Sequence, residues 1–136
     1  MKFQPCSFEF IVTAADMEKF VELSGDDSLI HTSPDFAVAH GFEGVVVYGG
    51  ILLAKLSRCL GRHLPGPRGI SLGWSIRYHA PLYVGETAIF EAVPGDYSES
   101  TRLLAVTFTI SREGKKLAAG KAESILLEEP PPDPTG

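Results

Sequence analysis

Asp26, Asp27 and His31 stand within six residues of one another in the stretch SGDDSLIH. A carboxylate and an imidazole aimed at one point can hold a water between them, one taking a proton while the other orients or donates. Histidine suits that work because its pKa lies near neutrality. Two acids compete for the role. Asp27 is four residues from His31 and would pair with it only on a continuing helix. Asp26 is five away, and at about 100° per residue the two would point apart on a regular helix. They converge only where the backbone turns. Gly25 allows such a turn, and Ser33-Pro34 opens a new helix soon after. Geometry therefore favours Asp26, with Asp27 left in solvent. The competing reading is a polar structural loop that contains a histidine.

Other residues are weaker candidates. His40 precedes Gly41 where a helix should end, a place that favours a cation, and reads as a surface residue. His63 falls in a turn and His79 on the polar face of a strand, so both read as structural. Cys59 sits in an apolar run and reads as a small filler. No Ser-His-Asp triad, metal-ligand cluster or phosphate loop assembles from the sequence, so neither a metal nor a resident cofactor is expected.

Positioning the pair falls to the surrounding elements. SFEFIVT alternates Phe8, Phe10 and Val12 and reads as a strand. Thr13 followed by Asp16 is a capping-box variant that opens a helix. Met17, Phe20, Val21 and Ser24 share one face of that helix, and Gly25 suits the position after its end. Ser33-Pro34 starts a second, short helix that Gly41 closes. In GGILLAKLSRCLG, apolar residues cover most of the helix surface and leave only Lys55, Arg58 and Arg62 as a polar stripe. Such a helix should be largely buried, and LPGP stops it.

The period then changes to two. ISLGWSIRYH places Ile70, Leu72, Trp74, Ile76 and Tyr78 on one face, with Trp74 read as core or as a pocket wall. ETAIFEAV, RLLAVTFTI and KLAAGKAESILL follow as strands, separated by the turn-like PGDYSES and REGK. This succession implies an antiparallel meander, and the whole an α+β sheet wrapped around the buried helix. An exposed sheet edge predicts a dimer.

The length of 136 residues is that of one domain, assigned to residues 1–128, with a proline-rich tail, extended or disordered, over 129–136. Hydrophobic residues are 44% of the chain, too many for disorder. No apolar run is long enough to cross a bilayer, and MKFQPCSFEF lacks the apolar region of a secretory signal. Cys6 and Cys59 are too few for a disulfide framework, so a cytoplasmic location is expected. A net charge of -5 argues against nucleic acid as a partner. Yet Gly44 to Gly85 holds no acid and five basic residues, Lys55, Arg58, Arg62, Arg68 and Arg77. Either a basic surface for a phosphorylated ligand or the solvated faces of a helix and a strand would account for it.

From Phe20 to Ala37, FVELSGDDSLIHTSPDFA resembles the hydratase motif of the MaoC-like, (R)-specific enoyl-thioester hydratases. That motif has an aromatic and an aliphatic residue, Ser-Gly-Asp, a variable residue, Asn-Pro, an aliphatic residue, His, and a small residue six later. Phe20, Leu23, Ser24, Gly25, Asp26, Ile30, His31 and Ala37 match it, while Ser28 and Leu29 stand where the family has Asn and Pro. The likeness continues through VVVYGGILLAKLSRCLGRHLPGP and GISLGWSIRYHAPLYVGET, and so covers most of the chain.

The resemblance implies a hot-dog fold, in keeping with the wrapped helix. It also implies acyl thioesters of coenzyme A or acyl carrier protein as substrates, with reversible syn addition of water to a trans-2-enoyl thioester giving the (R)-3-hydroxyacyl product. By position, Asp26 would activate the water and His31 would transfer the proton at the α-carbon. The opposite division also fits a pair that shares its titration. Amides of Gly49 and Gly50 at the helix start would hold the enolate-like oxygen, unless the glycines serve only tight packing. Tyr48 stands where the family commonly has His and is expected as a hydrogen-bond donor at the substrate, with Ser28 also placed there.

Two other functions fit parts of the sequence. VYGGILLAK also resembles the helix start of hot-dog thioesterases, whose acid on or opposite that helix is missing from Gly50 to His63. A non-catalytic thioester-binding subunit would explain the replaced Asn-Pro.

Overall fold

A computed structural model describes residues 2–130. Residues 131–136, most of the expected tail, lie outside the described residues. Glu129, at the start of that tail, pairs with Lys2 at 2.8 Å.

In chain order the elements are β1 (Cys6–Ile11), α1 (Ala14–Ser24), α2 (Leu29–Thr32), α3 (Pro34–Ala39), α4 (Gly49–Arg62), β2 (Gly69–Tyr78), β3 (Thr87–Tyr97), β4 (Leu103–Arg112) and β5 (Lys115–Leu126). The Thr13 capping box forms in both directions: the Thr13 hydroxyl accepts from the Asp16 amide, and the Asp16 carboxylate accepts from the Thr13 amide. Gly25 ends α1 in the left-handed conformation, at φ 75°. The four-residue α2 is not foreseen from sequence periodicity, because one turn carries no period to read.

All pairings in the five-stranded sheet are antiparallel, in the order β1-β3-β4-β5-β2. α4 packs on one face. Its Leu56 and Cys59 are fully buried against Phe90, Phe108 and Ile110 of the sheet. Each side chain the size of Leu56 contributes about 1.5–3 kcal/mol by leaving water. Cys59 is the filler expected of it, and burial pushes its thiol pKa up to about 12. A sheet curled around one apolar helix is the hot-dog fold.

Three expectations need correction. First, only β3, β4 and β5 form a meander, and β2 lies at the far edge beside β5. The chain enters β3 alongside β1, with the Gly85 amide donating to the Val12 carbonyl, so that side of β3 is taken. Second, the apolar set of β2 does not share one face. The register skips between Ser71 and Gly73, leaving Leu72 as an extra residue. Trp74, Ile76 and Tyr78 pair with Ala122, Gly120 and Ala118 on the helix side, whereas Ile70 pairs with Ile125 on the outer side. Trp74 is 41% exposed and so is not core. Third, the turn expected at PGDYSES is shorter, because β3 runs to Tyr97 through a bulge after Pro94. The REGK turn forms as expected, with Glu113 and Gly114 both at positive φ.

The two edges differ. Over β1, Lys55 lies 5.4 Å from the Phe10 ring centroid and Arg58 4.0 Å from that of Phe8. Arg68 pairs with Glu128, and Arg77 stands on the outer face opposite Ala119. The basic residues thus occupy several surfaces. At β2, by contrast, Ile70, Leu72, Trp74 and Tyr78 are all exposed. No helix among the described residues is long and apolar enough to cross a membrane.

Candidate active site

The turn between α1 and α2 is built by local hydrogen bonds. The Ser24 hydroxyl donates to the Phe20 carbonyl at 2.6 Å and accepts from the Asp26 amide at 3.0 Å. The Ser28 amide then donates to Asp26 Oδ1 at 3.0 Å, closing an Asx turn. That hydrogen bond is the main cause that holds the Asp26 carboxyl below the ordinary carboxylate range, and the positive field of His31 adds to it. Asp26 is exposed and ionised at neutral pH. Asp27 is also exposed, and its carbonyl accepts from the Thr32 hydroxyl.

His31 sits on α2, half-buried. Its Nδ1 lies 2.6 Å from the Val46 carbonyl, which can only accept, so Nδ1 carries the proton. Val46 is itself fixed, its amide donating to the Ile30 carbonyl at 3.0 Å. This leaves Nε2 for the cleft that His31 lines. Asp26 feels the charge of His31, yet among the described residues no hydrogen bond joins them. A water between the two would meet a base and a proton carrier.

Tyr48 ties the pair together from below. It is buried, and its hydroxyl donates to the Asp26 carbonyl at 2.6 Å. Its ring stacks on His31 at 4.1 Å and packs on Phe20 at 4.5 Å. Tyr48 therefore does not reach toward a substrate as the sequence suggested, because its one donor is already engaged. Burial also raises its pKa, which keeps it protonated.

Gly49 begins α4 and lines a cleft of about 350 Å³ with His31, Leu52, Tyr78 and Leu82. Among the described residues neither the Gly49 nor the Gly50 amide has a hydrogen-bond partner. A Cβ on Gly50 would strike the Phe20 ring, and one on Gly49 the Tyr78 phenol. Both glycines thus let an aromatic ring approach the helix start closely, while the free amides remain open to an anion. Ser28 caps α2 and acts through its amide on Asp26. Sequence reading missed Tyr78, since a tyrosine on an apolar face resembles core. The glycine opposite it was the available signal.

Residues 5–114 match the model of the MaoC like domain. The chain belongs to the MaoC-like family. An (R)-specific enoyl-CoA hydratase of Aeromonas caviae is 33% identical over 105 residues, which are 77% of this chain and 78% of that one. One from Rhodospirillum rubrum is 25% identical over 123 residues, 90% of this chain and 85% of that one. The solved structure of an (R)-hydratase from A. caviae involved in PHA biosynthesis superposes with a TM-score of 0.85 at 30% identity, covering 91% of this chain and 95% of that one. Against the MaoC-like motif, Leu29 is the first residue of α2, where proline is well suited, so this turn forms without it.

Proposed function

We propose that this MaoC-like protein is a hydro-lyase that reversibly hydrates trans-2-enoyl thioesters of coenzyme A or acyl carrier protein to (R)-3-hydroxyacyl thioesters. The observation that carries this reading is the His31 ring, held by Val46 with Nε2 left for the cleft, and an ionised Asp26 near enough to feel its charge. The Asp26 carboxylate takes a proton from water as the water oxygen bonds to C3. The electron pair of the C2–C3 double bond moves toward the thioester carbonyl, whose oxygen the Gly49 and Gly50 amides hold. In the reactive form His31 carries a proton on Nε2 as well as Nδ1; it delivers the Nε2 proton to C2, and the proton on Asp26 returns to His31 Nε2 through the next water. Water, substrate and two side chains balance the reaction, so it calls for no resident cofactor or metal. The thioesterase reading is disfavoured, because α4 lacks the acid that hot-dog thioesterases usually carry on or opposite that helix.

The exposed apolar edge of β2 supports a homodimer or a higher homo-oligomer. A reduced cytoplasmic compartment and fatty-acid metabolism complete the reading. The test is loss of enoyl-thioester absorbance across acyl chain lengths. No hydration at any length would sink the assignment.

A further inference from the structure

The sheet side of the cleft holds a polar group that the reaction above leaves unused. Tyr78 ends β2, and its pairing with buried Ala118 puts its side chain on the helix side of the sheet. Its phenol oxygen and ring edge lie so close to Gly49 that a Cβ there would meet them unless the phenol moved. Gly49 is helical, with no left-handed backbone to demand glycine. What the glycine provides is the approach of the phenol. Both residues line the cleft together with His31. Among the described residues the Tyr78 hydroxyl has no hydrogen-bond partner, unlike those of Tyr48 and Tyr83. Desolvation raises its pKa above the ordinary phenol value, so it remains a donor at neutral pH.

We propose that the Tyr78 hydroxyl is a catalytic donor, bonding the thioester carbonyl oxygen beside Gly49 as that oxygen gains negative charge. This rests on the hydratase reading. As the water oxygen bonds to C3, charge builds on the carbonyl oxygen, and it drains back when C2 takes its proton. Tyr78 keeps its own proton throughout. A donor placed where charge develops lowers the barrier more than it strengthens substrate binding.

Tyr78→Phe keeps the ring and removes the hydroxyl. In crotonyl-CoA hydration its kcat should fall about a hundredfold. Affinity for saturated butyryl-CoA, measured by calorimetry, should change less than about threefold, because that carbonyl gains no charge. A variant within about twofold of wild-type kcat overturns the proposal and leaves the hydratase reading standing. A loss of turnover matched by an equal loss of butyryl-CoA affinity overturns it as well, since that marks a ground-state contact. If the wild-type protein hydrates no enoyl thioester, the reading itself fails and the proposal with it.

Discussion

On the helix side of the cleft, Tyr48 is buried and engaged with the Asp26 carbonyl. Across from it, Tyr78 is half-exposed and unengaged, at the end of an edge strand. On the helix side the turn before His31 is locked by hydrogen bonds, from the Asp26 amide to Ser24, from the Ser28 amide to Asp26 and from His31 to the Val46 carbonyl. The sheet wall offers Tyr78 amid apolar neighbours, on an edge strand that also exposes Ile70, Leu72 and Trp74. Preorganised groups cost no rearrangement at the moment of reaction. A wall left open keeps room for a substrate and, along the strand, for another copy of the chain.

Removing the helix wall's reacting groups should break this contrast most. Asp26→Asn and His31→Ala are each expected to lower crotonyl-CoA turnover by about 10²–10⁴-fold, with circular dichroism unchanged. Near-normal turnover in either variant would contradict its assigned role.

Next is the open wall. Leu72→Glu puts a charge on the exposed apolar edge and should shift sedimentation from dimer toward monomer. An unchanged assembly would place the interface elsewhere.

A smaller effect is expected at Tyr48→Phe, which keeps the stack on His31 and frees the Asp26 carbonyl. Denaturant unfolding should show a loss of about 0.5–1.5 kcal/mol, and a stability equal to wild type would show that water replaces the bond fully.

The smallest effect sharpens the comparison at one atom. Ser28 has φ −56°, which suits proline, and Ser28→Pro removes the amide that holds Asp26 Oδ1. A lowered pKa keeps the carboxylate charged until pH falls below its ordinary range. Carbon NMR titration of Asp26 should therefore find a midpoint below the ordinary value in the wild type, moving upward in Ser28→Pro. A midpoint that does not move would assign the shift to His31 alone.

Much of the site was legible because its causes are local. The capping box, the Gly25 stop and the run of residues on α4 depend on neighbours a few positions apart, and those set α1, which ends just before Asp26, and α4, which carries Gly49. Asp26 was favoured over Asp27 for the same reason, since one glycine decides where the chain turns. The basic stretch left two readings open, because adjacency in sequence says little about which face a side chain takes. Tyr48 shows the limit more sharply. Its residue type announced a donor, but its partner lies 22 residues away, at the Asp26 carbonyl.

The sequence by itself determined the longer elements, the acid and histidine, and the glycine pair, since propensity, capping and period act over a turn or a strand. Only the tertiary structure decided that β2 crosses to the far edge, that Leu72 splits its apolar face, and that the phenol of Tyr78 comes to rest on Gly49. Those outcomes depend on strand order and register. Strand order and register are settled by contacts between residues far apart in the chain, which no local pattern encodes.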